Sequence, residues 1–115
     1  MICVVDHQIL YPDKFVAVGD TVTIQCHGSK STPILWQYQN SAELNARDLY
    51  DRDHLISARY KIDNTTYDLT ISNVEVNDAG EYWCAENEGF GTKHVTELFV
   101  KGNVLCCFMV VKNVI

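Results

Sequence analysis

The stretch Asp78-Ala79-Gly80-Glu81-Tyr82-Trp83-Cys84 constrains this chain most. It reads as a turn running into a strand that ends on a cysteine. A strand alternates its side chains between two faces, so Tyr82 and Cys84 share one face and Trp83 and Ala85 the other. Two upstream residues complete a frame. Cys26 lies 58 positions before Cys84, and Trp36 follows Cys26 by ten.

The rest of the chain reads as further strands. Val4 to Leu10 and Lys14 to Val18 form a first strand broken at Pro12, as suits an edge strand that switches sheets. Thr21 to Cys26 has period-2 alternation, with Val22, Ile24 and Cys26 on one side. Ile34 to Gln39 is the next strand. If Trp36 points inward, Gln37 and Gln39 point out of the opposite face. The segment from Asn40 to Ser57 holds room for one or two short edge strands and a charged loop. Arg59 to Ile62 and Tyr67 to Ile71 are joined by a tight turn, and Val74 plugs the core. Glu81 to Glu86 and Lys93 to Lys101 close the series, with Leu98 and Val100 inward and Phe99 outward.

Length and charge limit the function classes. At 115 residues the chain holds one domain, here residues 1–101 followed by an apolar tail at 102–115. A net charge of −6 argues against nucleic acid or an anionic membrane as partner. The four histidines scatter over four segments, and no nucleophile, base and orienting group assemble from the pattern, so no enzyme is expected. Asp48, Asp51, Asp53 and His54 make a poor metal loop, because Arg47 and Arg52 interrupt them and no tight-turn glycine is present. No metal and no small-molecule cofactor is implied.

With its Cys…Trp…Asp-x-Gly-x-Tyr-x-Cys frame, the chain resembles the immunoglobulin superfamily over about residues 4–101, with V-set and I-set features mixed. The resemblance implies an all-β, immunoglobulin-like β-sandwich of V type or intermediate type. It implies a Cys26–Cys84 disulfide between the sheets, with Trp36 against it and Tyr82 two residues before the second cysteine. Two free thiols in a cytosolic domain of similar fold is the alternative. The resemblance also implies that Arg59 pairs with Asp78 in a charge-assisted bond closing one end of the sandwich. Gly89-Phe90-Gly91-Thr92-Lys93 is similar to a joining-segment strand whose glycines permit a bulge. His94 stands where that pattern has a core leucine, and Glu88 where it has an aromatic.

Trp83 carries the functional expectation. Alternation on Glu81 to Glu86 (strand F of the family) turns it out of the core, beside Gln37 and Gln39 of Ile34 to Gln39 (strand C) and Val95 and Phe99 of Lys93 to Lys101 (strand G). A large aromatic among apolar neighbours on a sheet face is a candidate interface. The alternative is that the chain itself covers Trp83. The resemblance implies a non-catalytic, extracellular recognition module of an immune-type receptor or adhesion protein. Its partner would be a protein ligand, or a second copy, at the C-F-G face. A structural immunoglobulin domain of a larger scaffold is the competing reading. Tyr50, Arg52, His54, Glu88 and Phe90 are contact-capable side chains on the loops at one end. Asn64-Thr65-Thr66 is a candidate N-glycosylation site.

Cys3, Cys106 and Cys107 are left over by the implied disulfide. The first strand begins at one end of a sandwich and strand G finishes at the other. At about 3.3 Å per residue that separates them by roughly 25–35 Å, against about 7 Å tolerated by a bridge. Cys106 or Cys107 is therefore better suited to a bond between two chains. Met1 to Val5 meets Asp6 and His7 too soon for a signal-peptide core. The longest apolar run is Val104 to Val111, well short of the roughly 18–20 residues of a membrane helix. Membrane attachment would need an anchor beyond this sequence.

Overall fold

A computed structural model describes residues 8–40, 45–52 and 54–102. Within them ten strands form two sheets: β1 Gln8–Leu10, β2 Lys14–Ala17, β3 Val22–Ile24, β4 Leu35–Gln39, β5 Arg47–Asp51, β6 His54–Leu55, β7 Tyr60–Ile62, β8 Leu69–Ile71, β9 Gly80–Ala85 and β10 Lys93–Lys101. The larger sheet has the order β1-β10-β9-β4-β5-β6, with β2 also on β10, and the smaller has the order β3-β8-β7. Cys3, Cys106, Cys107 and the apolar tail lie outside the described residues.

The inner faces interdigitate. Val22, Ile24, Leu69 and Ile71 of the small sheet meet Trp36, Tyr38, Tyr82, Cys84 and Leu98 of the large one, and Val74 is buried with them. The Cys26–Cys84 disulfide crosses this core with Cα atoms 5.4 Å apart. Closing a loop of this length contributes about 4 kcal/mol in the chain-entropy model. Trp36 completes the frame by donating its indole N–H to the Tyr67 carbonyl at 2.8 Å. Tyr82 donates its hydroxyl to the Asp78 carbonyl at 2.6 Å, a tyrosine corner that ties the strand to the turn before it. Burial pushes the Tyr82 pKa up, so it remains a donor at neutral pH.

Local chemistry sets the strand limits. The ladder of β3 ends at Ile24, because the Cys26 N–H turns to the Asp68 carboxylate at 2.8 Å. The ladder of β8 starts only at Leu69, because Tyr67 adopts φ 63°. Gly80 opens β9 at φ 146°, and a Cβ there would sit 2.8 Å from the Tyr38 ring and 2.9 Å from the Gln39 carbonyl. The Asp-x-Gly turn therefore needs glycine.

Two expectations are corrected. The first strand does break at Pro12, but among the described residues both halves pair in parallel with β10, so no sheet switch occurs. The bulge expected from Gly89 and Gly91 is absent from the ladder, where β9 and β10 stay in register from Lys93↔Ala85 to Leu98↔Gly80. The glycines serve the preceding turn instead. The Glu86 carbonyl accepts the N–H groups of both, and a Cβ on Gly91 would lie 3.1 Å from that oxygen.

Candidate recognition surface

The outer face of the large sheet is laid out by strand register. Val95 lies opposite Trp83, and Trp83 opposite Gln37. One step along, Glu97 lies opposite Glu81, and Glu81 opposite Gln39. A further step brings Phe99 opposite Phe15. The face is thus three tiers, each about 7 Å from the next.

The first tier centres on Trp83, which is partly exposed and donates its indole N–H to Glu81 at 3.0 Å. Gln37 donates to the Asp48 carboxylate at 3.1 Å, while its Oε1 is buried without a donor. Val95 shares this side, but at 4% exposure it offers no contact area. Its expected place on the interface is corrected: register gives it Trp83's side, and packing removes it from solvent. The third tier is an exposed aromatic pair. Phe15 and Phe99 stack with centroids 5.3 Å apart, and Phe15 keeps 74% of its surface.

The middle tier is acidic. Glu97 and Glu81 are directly opposite across the ladder, where like charges repel. Burial, then the charges of Glu81 and Asp13, push the Glu97 carboxyl above the usual range. Among the described residues neither glutamate has an ion-pair partner.

The loop residues divide. Arg52, at φ 50°, bridges to Glu88 at 3.0 Å, tying the turn after β5 to the β9–β10 loop. His54 is exposed on β6, and Phe90 is exposed at the loop tip. Tyr50 is corrected from loop contact to core. It lies opposite Trp36 in β5 and is 9% exposed. At the opposite end Arg59 grips Asp78 with both terminal nitrogens. Asn64 is exposed in the β7–β8 turn, which Asp63 holds by accepting the N–H groups of Thr65 and Thr66.

One cluster escaped the sequence reading. His94 faces inward and is 7% exposed, yet both its ring nitrogens are used. Nε2 lies 2.7 Å from Glu86, and Nδ1 lies 2.7 Å from the Tyr11 hydroxyl. Tyr11 stacks on His27 at 3.9 Å. A carboxylate only accepts, so neutral His94 carries its proton on Nε2 and accepts the Tyr11 proton on Nδ1. The hydrogen bond from His94, then that from the Ser29 N–H, holds the Glu86 carboxyl below its ordinary value. The order hydroxyl–imidazole–carboxylate looks like a proton relay. However, burial, then the charge of Glu86, raises the Tyr11 pKa, which makes it a poorer nucleophile. The cluster acts as a clasp that fastens the end of β1 to β10. Only the odd placing of His94 at a leucine position hinted at it.

A disulfide-pinned sandwich of these two sheets, with a tyrosine corner and added strands β5 and β6 beyond β4, defines an immunoglobulin-type module of the variable class. The immunoglobulin domain family profile matches residues 12–95, and the chain belongs to that family. It is 36% identical to the rabbit (Oryctolagus cuniculus) Ig kappa chain V region 120 over 97 residues, covering 75% of this chain and 88% of the relative. It is 37% identical to mouse (Mus musculus) Roundabout homolog 1 over 82 residues, covering 68% of this chain and 5% of that protein. Among solved structures, the extracellular domain of the voltage-gated sodium channel beta4 subunit superposes with a TM-score of 0.63 at 16% identity, covering 83% of this chain and 88% of that one. No helix among the described residues is long and apolar enough to cross a membrane.

Proposed function

We propose that this domain is a non-catalytic, extracellular recognition module that binds a protein partner through the outer face of β4, β9 and β10. The observation that carries this reading is Trp83, partly open to solvent on a sheet face whose next exposed side chains include Phe99 and Phe15. Aromatic anchors of this kind dominate the energy of protein interfaces. The kinship with antibody variable regions and with a segment of Roundabout homolog 1 supports a recognition role. The disulfide and the exposed Asn64 sequon suit the secretory pathway. The beta4 structure is described as a parallel homodimer with a role in cell-cell adhesion, which keeps a second copy among the partners to test.

The test compares wild type with Trp83→Ala and Phe99→Glu, both checked for unchanged melting. Fluorescent tetramers of the domain are bound to intact cells, and self-association is followed by sedimentation velocity. Loss of a central aromatic anchor should weaken binding by about thirtyfold. Equal binding by all three proteins overturns the reading. The competing reading, a structural domain of a longer protein, is favoured if Cys26 and Cys84 are reduced and Asn64 unglycosylated in the native protein.

A further inference from the structure

The partner's chemistry is written in the middle tier of that same face. Glu97 and Glu81 face each other across the β9–β10 ladder, an arrangement that costs stability. Cross-strand neighbours of opposite charge would relieve it, yet Lys14 of β2 lies opposite Leu98 and so takes the other face. On Glu97's own face the β10 cations Lys93 and Lys101 each stand four residues away, about 13 Å along the strand. The aromatic side chains bracket the carboxylates on the same face. Trp83 lies one tier to one side and the Phe99–Phe15 pair one tier to the other. Trp83 also aims its indole N–H at Glu81, which holds that carboxylate toward the ring. Carboxylate acceptors flanked by aromatic rings form the surround that a guanidinium or ammonium group prefers, because charge-assisted hydrogen bonds and cation–π attraction act together.

We propose that this face docks a cationic segment of a different protein, with an arginine or lysine side chain seated over the Glu81–Glu97 pair between Trp83 and Phe99. The inference rests on the reading of this face as the recognition surface and names the partner's chemistry. A second copy centred on the middle tier is disfavoured, since it would set Glu81 and Glu97 against their own counterparts in a protein of net charge −6. Glu97 already holds its proton more tightly than an ordinary glutamate, through burial first and then the charges of Glu81 and Asp13, and among the described residues no ion-pair counter-charge offsets them. A docked cation supplies that counter-charge.

The probe is the peptide acetyl-Gly-Arg-Gly-Arg-Gly-amide, with the matching glutamate peptide as control, titrated into the isotopically labelled full chain. The arginine peptide should shift the Trp83 indole N–H and the amides of Glu81 and Glu97, lose affinity as salt rises, and lower the Glu97 pKa. The glutamate peptide should do none of these. Glu97→Gln and Glu81→Gln preserve shape and should each weaken the arginine peptide by up to about fivefold. If both peptides shift the face alike, or if the glutamine variants bind the arginine peptide as wild type does, the cationic partner is excluded while the face remains a recognition surface. If neither peptide perturbs Trp83, this proposal falls, and the Trp83→Ala cell-binding comparison decides the wider reading independently.

Discussion

Arg59 and Asp78 form a two-pronged ion pair at the base of the sandwich, with nitrogen–oxygen distances of 2.8 and 2.9 Å. The same guanidinium reaches the Ser72 carbonyl at 3.2 Å, and Asp78 also accepts the Glu75 N–H at 2.7 Å. Burial alone would raise the Asp78 pKa, but the guanidinium and the Glu75 N–H outweigh it and hold it below the ordinary range.

Arg59→Ala would strand a carboxylate that is only 6% exposed. Because Arg59 itself keeps 28% exposure, the loss should fall below that of a fully buried pair, at about 2–3 kcal/mol. The pair's contribution is present above the unfolded carboxylate pKa of about 3.9 and is lost as pH falls through the lower folded value. Urea unfolding at neutral pH should separate wild type from Arg59→Ala, and the gap should close at strongly acid pH.

Tyr82→Phe removes the corner hydrogen bond to the Asp78 carbonyl without changing the ring's volume. A cost of about 1–2 kcal/mol is expected, read as a lower denaturant midpoint at unchanged slope.

Gly80→Ala forces a Cβ to within 3 Å of the Tyr38 ring and the Gln39 backbone, in a left-handed conformation. Overpacking and backbone strain together should cost about 2–4 kcal/mol. Calorimetry should show the melting temperature falling by more than for any change at exposed Asn64.

Tyr11→Phe unfastens the clasp while leaving the stack on His27 available. His94 then loses the donor to Nδ1, and the short β1 is left with backbone pairing and exposed side chains. Hydrogen exchange of the Tyr11 amide, bonded to the Val95 carbonyl at 2.9 Å, should quicken by about tenfold while the β9 amides hold. Equal exchange in both proteins would show that backbone pairing alone retains β1.

The frame residues were legible because they obey strict local rules. Alternation in β9 sends Tyr82 and Cys84 inward and Trp83 outward, and those two facts carry the fold and the face. Val95 and Tyr50 differ from expectation for different reasons. Alternation tells which side of a strand Val95 takes, not what packs over that side, whereas Tyr50 sits in a stretch without strong periodicity, so β5 reads as loop. The clasp was illegible because Tyr11, His27, Glu86 and His94 come from four segments, and only the tertiary fold brings them together. The Glu81–Glu97 opposition needed the register of two strands, which a loop of unpredictable turn chemistry connects.

The parallel course of β1 and β2 along β10 also bears on load. Traction applied through Gln8 and Lys101 would pull the first and last strands past each other, stretching the β2–β10 bonds of Lys14–Ala17 and Leu98–Lys101 together in shear rather than opening them one by one. A domain strung between two tethers in this way yields only when that whole row gives, which makes it a stiff link in a chain under tension.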